Sequence, residues 1–304
     1  MHKQHTILIF LVMIALVLVL SACSGSSQAA GQVLLNSTNT MKQLKTVHVD
    51  MGMTMGINIS GLTSPTSGST PTNSVNITLS GSGDEVFPDQ ASLKFTTSTG
   101  SSAFTLAEIL KGNSVYIQNT KSQWYVLDKS AMFGKVNMSD LFSSTSIPDF
   151  NKLLQIAEQD AKATDHGDQS LNGTNLRHIT VTLDKNGFEE LLKNIGQLNS
   201  VTSATQQSLN DLFKSVNGLN TSMDFWIDES TSYLHHMEMK MSFSMDTSNF
   251  ITPTPGTTKG PSGISLNLDM TMDLSRFNDS SIKIAAPANA IPTSNPGVIF
   301  GFGN

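Results

Sequence analysis

The residue with the most specific chemistry is Cys23, which is the only cysteine in the chain. It follows Leu20-Ser21-Ala22, and an apolar residue, two small residues and a cysteine together have the form of a lipobox. In that motif the thiolate takes up a diacylglyceryl group as a thioether, and the small residues give a signal peptidase access. Residues 7–20 are continuously apolar, but the run is shorter than the about 20 residues of a membrane-spanning helix and is typical of a signal peptide. We therefore predict cleavage before Cys23 and lipid attachment to its sulfur.

This N-terminus predicts a protein held by lipid on the extracytoplasmic face of the cell membrane. The alternatives are an ordinary signal with a chance cysteine, or a retained membrane helix. Residues 24–31 lack bulky side chains and suit a flexible tether. Acyl chains contribute about 0.8 kcal/mol of membrane binding per buried CH₂ group, so a doubly acylated cysteine is a stable anchor. Since there is no second cysteine, no intramolecular disulfide can form.

Thioether and imidazole groups form a second pattern, in which His235 and His236 precede Met237, Met239 and Met241. Such ligands suit Cu(I). Methionines at every second residue equally form one buried face of a strand, and the two histidines then point to opposite sides of it. Copper binding is therefore kept as a remote alternative, and no metal site is predicted.

Residues that could support catalysis are scattered. His166 lies between Asp165 and Asp168 in a segment that we predict to be a loop. These residues therefore indicate a solvated turn rather than a catalytic dyad. The acidic pair Asp228-Glu229 falls at a hairpin turn, where acidic residues are common for backbone reasons. The H-E-x-x-H, G-x-S-x-G and P-loop motifs are absent from the sequence. We predict that the protein is not an enzyme and has neither catalytic residues nor a cofactor.

The elements that position these residues are mostly strands, because several segments alternate strictly between apolar and polar residues. The longest alternating segments are 47–59, 223–227, 237–245 and 264–274, and shorter ones are 75–79, 93–95, 115–117, 124–126 and 179–183. Turn residues separate them at 81–84, 111–113 and 172–173. Strands joined by such short turns pair antiparallel.

Helices are fewer, and helix–strand alternation does not repeat along the chain. Helical spacing of apolar residues predicts helices over 34–44, 150–157, 188–195 and 209–216. Two segments rich in Ser, Thr, Pro and Gly, 60–73 and 247–263, predict long hairpin tips. The fold class is therefore predicted as α+β, with a wide antiparallel sheet whose apolar face packs on a few helices. The net charge of −6 argues against a nucleic-acid partner.

Several short motifs, in their order along the chain, resemble the LppX/LprG-type lipid-carrier lipoproteins, whose fold is similar to that of the LolA and LolB carriers. The motifs are 41–49 as a helix-to-strand opening, Pro88 with Ala91, the hairpin 112–117 followed by Trp124, 171–174 with Ile179, Phe225-Trp226-Ile227-Asp228 and Ile284-Ala285-Ala286-Pro287. The resemblance implies a curved half-barrel sheet packed on helices, which enclose a pocket for acyl chains. It also implies carriage of lipid or glycolipid without catalysis.

The resulting expectations divide the chain into a signal peptide (1–22), a lipidated tether (23–31), a single LolA-like domain (32–287) and a loose C-terminal tail (288–304). The expected partners are an acylated lipid or glycolipid and, through the anchor, a membrane. An envelope sensor or a structural lipoprotein that acts through a protein partner is the alternative. The residues expected to contact lipid are Val49, Met51, Met53, Met239, Met241, Phe243, Leu268 and Met270 on the sheet, with Leu192 and Phe213 on helices.

Overall fold

The structure is a computed structural model, and it describes residues 29–60, 73–129, 161–187, 189, 215–246 and 262–300. Within these ranges the chain forms mainly strands. The elements are α1 (Ala30–Met41), β1 (Thr46–Ser60), β2 (Asn73–Val86), β3 (Gln90–Thr99), β4 (Ser102–Lys111), β5 (Ser114–Gln118), β6 (Trp124–Asp128), β7 (Ala161–Leu171), β8 (Thr174–Leu183), β9 (Val216–Ile227), β10 (Leu234–Asp246), β11 (Gly263–Ser275), β12 (Ile291–Pro292) and α2 (Gly297–Phe300). Among the described helices, none is long and apolar enough to cross a membrane.

The twelve strands of the described residues form one open, curved sheet with the order β12-β6-β5-β4-β3-β2-β1-β11-β10-β9-β8-β7. Neighbouring strands are antiparallel, except that the short β12 runs parallel to β6. The first strand therefore lies at the centre, between β2 and the last long strand, β11. This architecture confirms the predicted α+β class with an antiparallel sheet.

Alternation along the strands separates the sheet into an apolar and a polar face. In β1, Val47 and Val49 are buried, whereas Asp50 is exposed on the other side. Antiparallel pairing preserves this division from strand to strand, because directly opposed residues share a face. For example, Met51 lies opposite Met272 of β11.

Two clusters of buried residues pack on the apolar face. The larger joins α1 to the strands β1 and β8–β11, and its most buried members include Leu34, Phe225 and Leu234. The smaller joins β3–β6 to Ile299 of α2 and is centred on Ile117. Apolar burial of this kind is the main stabilising contribution to a fold without disulfides.

The prediction of a turn at 81–84 is wrong, because these residues lie inside β2. Their glycines allow close approach rather than a change of direction. A Cβ at Gly83 would meet the Ser92 carbonyl oxygen at 2.1 Å, and a Cβ at Gly81 would meet the Phe95 ring at 2.6 Å. The two glycines thus let β3 side chains and backbone pack against β2.

The remaining predictions of elements have mixed outcomes. The helix near 34–44 is confirmed as α1, and the long alternating segments are confirmed as β1, β9, β10 and β11. Strands β4 and β7 and the two-residue β12 were not predicted, and His166 lies in β7 rather than in a loop. Segments 61–72 and 247–261 of the two Ser/Thr/Pro-rich stretches lie outside the described residues, as do most of the other three predicted helices.

Candidate functional site

The strongest candidate site is the half-buried part of the apolar face. Burial falls along the central strands with distance from α1. In β11, Leu274 and Met272 are buried, whereas Met270 and Leu268 are only half-buried. Strand β10 repeats the gradient, since Met237 is buried and Met241 is half-buried. The core therefore grades into an apolar surface that retains contact with solvent.

This surface consists of three adjacent rows across β1, β11 and β10. We call it the distal apolar surface, and its members are Met53, Met270 and Met239 in the first row, Met55, Leu268 and Met241 in the second, and Ile57, Leu266 and Phe243 in the third. All nine side chains are half-buried. Because the residues of each row are paired directly, the surface is continuous across the three strands.

The structure brings together most of the lipid-contact residues expected from the sequence. Six of them lie on the distal apolar surface: Met53, Met239, Met241, Phe243, Leu268 and Met270. Val49 is instead buried within the larger core, and Met51 lies one step nearer to it, half-buried and packed against the core as Met239 and Met270 also are. Leu192, Phe213 and Cys23 lie outside the described residues.

The dimensions of the surface suit an acyl chain. From Met51 to Ile59, β1 keeps an apolar side chain on this face at every second residue. At about 3.4 Å per residue, that stretch measures roughly 27 Å, of which the part on the distal apolar surface, from Met53 to Ile57, measures roughly 14 Å. An acyl chain in one bilayer leaflet extends about 15 Å, half the thickness of the hydrocarbon core. One chain could therefore lie along the strands without leaving the apolar face.

Methionine gives the surface an adaptable chemistry. Its unbranched thioether fills irregular apolar volumes, which suits a flexible ligand.

The geometry does not favour the copper alternative, because His236 and Met237 point to opposite faces of the sheet. His236 contacts Asp273 on the polar face, with 2.7 Å between Nδ1 and Oδ1. His235 packs edge-on against Phe277, at 5.1 Å between ring centroids, and burial lowers the pKa of its imidazole.

Among the described residues, two largely buried carboxyl groups lie on the apolar face, and the sequence interpretation missed both. Glu85 lies opposite Val47, is only 6% exposed, and burial raises its pKa to about 7. Glu108 lies opposite Ile117, and burial raises its pKa as well. The available signal was the position of each glutamate in the alternation, since both fall where the strand presents apolar residues.

Comparisons with known proteins place the chain in a family without an assigned function. A model for this family, DUF6612 (family of unknown function), matches residues 29–292, so the chain belongs to it. No curated protein matches the chain.

Solved structures give more distant likenesses. The chain is similar to LprF from Mycobacterium bovis, with 14% identity, coverage of 87% of this chain and 98% of that one, and a TM-score of 0.40. It is also similar to the Mycobacterium tuberculosis lipoprotein LppX, with 15% identity, coverage of 84% and 100%, and a TM-score of 0.40. A putative outer membrane lipoprotein-sorting protein domain from Vibrio parahaemolyticus is 9% identical over 83% of this chain and 93% of that one, with a TM-score of 0.23. At these identities and TM-scores, the likenesses identify neither a function nor a ligand.

Proposed function

We propose that this protein binds an acylated lipid or glycolipid on its distal apolar surface while Cys23 anchors it to the outer side of the cell membrane. The observation that carries the proposal is the continuity of the three half-buried rows, which run from Met53 to Phe243 across neighbouring strands. A soluble protein rarely leaves so long an apolar surface in contact with solvent unless something binds to it.

The lipid would bind through apolar contact. Each buried CH₂ group contributes about 0.8 kcal/mol, so affinity should rise with acyl chain length. The thioethers of Met53, Met241 and Met270 can follow chains of different shape. Binding by shape-tolerant apolar contact requires no catalytic group, which agrees with the expectation that the protein is not an enzyme.

Native mass spectrometry of a soluble form that begins at Ser24 tests the proposal. The expected result is a population of protein carrying a co-purified lipid, whose mass identifies it. Delipidated protein should then take up an added phospholipid, and uptake should strengthen as its acyl chains lengthen. Absence of lipid in both experiments would overturn the proposal and favour a structural role.

A second measurement separates a carrier from a lipid-binding sensor. Vesicles that contain a fluorescent phospholipid are mixed with unlabelled vesicles, and transfer is followed with and without the protein. A carrier accelerates transfer in proportion to protein concentration. A protein that binds lipid without accelerating transfer fits the sensor instead, with a protein partner that captures the lipid-bound form.

A further inference from the structure

The polar face of the sheet carries a compact group of metal-ligating side chains at β7, β8 and β9. His166, His178 and Asp224 each offer one ligand atom, and these atoms all lie within 4.8 Å of one another. Among the described residues, no other three side chains of histidine, cysteine, aspartate or glutamate bring their ligand atoms so close together. It lies on the opposite face from the distal apolar surface, because His178 is paired with Trp226 and its chain neighbour Ile179 is buried in the core.

A β-bulge aims His166 into this group. The pairing of β7 with β8 shifts between Asp165 and Gly167, so that His166 is the extra residue in its strand. The bulge includes Gly167 at a φ of +75°, a conformation that glycine adopts without strain. Bulges of this kind redirect a side chain. Here the His166 ring stacks on His178 at 4.4 Å between centroids, and its Nε2 lies 2.8 Å from the Thr180 hydroxyl.

The orientation of His178 is fixed from both sides. Its ring is held between His166 and Trp226, and the Trp226 ring is parallel within 3° at a centroid distance of 4.3 Å. Its Nδ1 is buried and has no hydrogen-bond partner among the described residues. Its Nε2 lies 3.0 Å from Oδ1 of Asp224. All the polar contact of this imidazole is therefore made through Nε2, which points to the carboxylate.

Asp224 completes the convergence. Its Oδ1 meets His178 Nε2 and also accepts a hydrogen bond from the Thr180 hydroxyl. The side chains of His178 and Asp224 are only 13% and 17% exposed, whereas His166 is exposed. Two of the three groups are thus largely buried, whereas His166 is exposed and is held by its stack on His178 and its contact with the Thr180 hydroxyl.

We propose that His166, His178 and Asp224 bind one divalent transition-metal ion, with zinc as the best match to this donor set. Imidazole nitrogens at about 2.0–2.1 Å and a carboxylate oxygen at about 2.0–2.2 Å are ordinary zinc ligands. Calcium and magnesium prefer sites made only of oxygen, and two imidazoles do not suit them. At such bond lengths the ligand atoms lie within about 4 Å of one another. The three ligand atoms now lie within 4.8 Å of one another. Rotation of the exposed His166 side chain would bring its ring nitrogen within the distance that the metal requires.

Binding would also use the surrounding groups. The Thr180 hydroxyl, which now bridges His166 and Asp224, would remain bonded to the carboxylate and orient it. Three protein ligands leave a fourth position of the ion for water or for a donor from another molecule.

A histidine elsewhere on the same polar face provides a matched control. His48 contacts Asp84 at 2.7 Å and Asp50 at 3.4 Å. This group contains one imidazole instead of two, and the Arg276 guanidinium lies 3.5 Å from Asp84 and offsets its charge. His48→Ala therefore removes a histidine paired with carboxylates without touching the proposed site.

The test is calorimetric titration of the full chain, purified in detergent without a polyhistidine tag and freed of metal, with zinc chloride. The expected result is saturable binding of one ion per chain. His166→Ala and His178→Ala should each weaken it at least about tenfold, the lower bound for loss of a group that supports a metal site. His48→Ala should leave the affinity unchanged. Tryptophan fluorescence gives a second readout in a Trp124→Phe background, because the remaining Trp226 stacks on His178.

The inference would be overturned if the wild-type chain showed no saturable zinc binding. It would also be overturned if His166→Ala bound zinc as tightly as the wild type, or if His48→Ala lowered the affinity equally. Circular dichroism checks that each variant is folded, and the exposed His166 supplies the decisive variant should His178→Ala unfold the protein. The outcome is independent of lipid binding, because the two sites lie on opposite faces of the sheet.

Discussion

Met53 of β1 lies directly opposite Met270 of β11 at the centre of the sheet, and both side chains are half-buried on the apolar face. This pair marks the place where the solid core ends. Two residues nearer to α1, Met51 lies opposite Met272, which is only 6% exposed. A ligand on the distal apolar surface would contact Met53 and Met270 directly. Because both side chains are only half-buried, a substitution there should affect binding more than stability.

Met53→Glu should therefore weaken binding of a fluorescent phospholipid by at least about tenfold, or about 1.4 kcal/mol. The physical reason is that acyl chains would strip water from the new carboxylate without supplying a partner. Thr54→Glu is the matched control, because Thr54 is the next residue in β1 and its side chain is exposed on the polar face. Circular dichroism and urea unfolding should show that both variants are folded. A folded Met53→Glu variant with wild-type affinity would remove this residue from the proposed surface.

The glycines of β2 lead to a prediction about stability. Gly83→Ala should destabilise the protein by roughly 1–3 kcal/mol, the usual cost of forcing extra volume into a packed site. The added Cβ would meet the backbone of Ser92, which cannot rotate away. Urea unfolding measures the free energy of unfolding.

Gly56→Ala provides the comparison for that prediction. Its Cβ would meet the flexible side chain of Asn76 at 3.3 Å, so the cost should be much smaller. Equal effects of the two substitutions would contradict the close-approach explanation for Gly83.

Much of the fold could be predicted from the sequence because the central strands obey strict alternation. The parity of Met53, Met241 and Met270 placed them on one face, and strand pairing then brought them into adjacent rows. Strand β7 escaped prediction because it lies at the edge of the sheet and pairs only with β8, so most of its side chains are exposed and polar. Edge strands lack the apolar alternation on which the prediction depends.

Other features depend on tertiary contacts that sequence spacing does not encode. Gly81 and Gly83 have the composition of a turn, and only the packing of Phe95 and Leu93 shows why glycine is needed there. Similarly, His166 joins His178 only because the bulge adds one residue to β7. A local pattern cannot reveal such a convergence from three strands.

A substitution of Cys23, which lies outside the described residues, tests the predicted lipid anchor. Cys23→Ala should leave an uncut or unacylated precursor, since the substitution removes the sulfur that takes up the diacylglyceryl group. Metabolic labelling with a radioactive fatty acid and membrane fractionation measure the result. Ser21→Thr, a change that keeps a small residue in the lipobox, serves as the control and should still be labelled. Mature protein attached to the membrane as in the wild type, despite the loss of Cys23, would refute lipid anchoring.

The buried carboxyl of Glu85 predicts how stability depends on pH. Burial raises its pKa from 4.5 to about 7 in the folded protein, so between these values the folded state holds a proton that the unfolded state has released. Stability therefore falls as pH rises from about 4.5 to 7, and the full cost of about 3 kcal/mol persists at higher pH. Glu85→Gln should remove this dependence and stabilise the protein by up to that amount at pH 8, with little effect at pH 4.

Asp279→Asn is the contrasting variant in the same experiment. Hydrogen bonds from Ser281 and Arg276 lower the pKa of Asp279 to about 2, so its contribution is present above the ordinary aspartate pKa and is lost as pH falls toward 2. Removing that carboxylate should lower stability at neutral pH, opposite in sign to Glu85→Gln. Urea unfolding of both variants from pH 2 to 8 measures the two slopes, that of Glu85 between pH 4.5 and about 7 and that of Asp279 between pH 3.8 and about 2. If Glu85→Gln retained the wild-type slope between pH 4.5 and 7, the buried carboxyl would not be its source, and Glu108, whose pKa burial also raises, would be the next residue to replace.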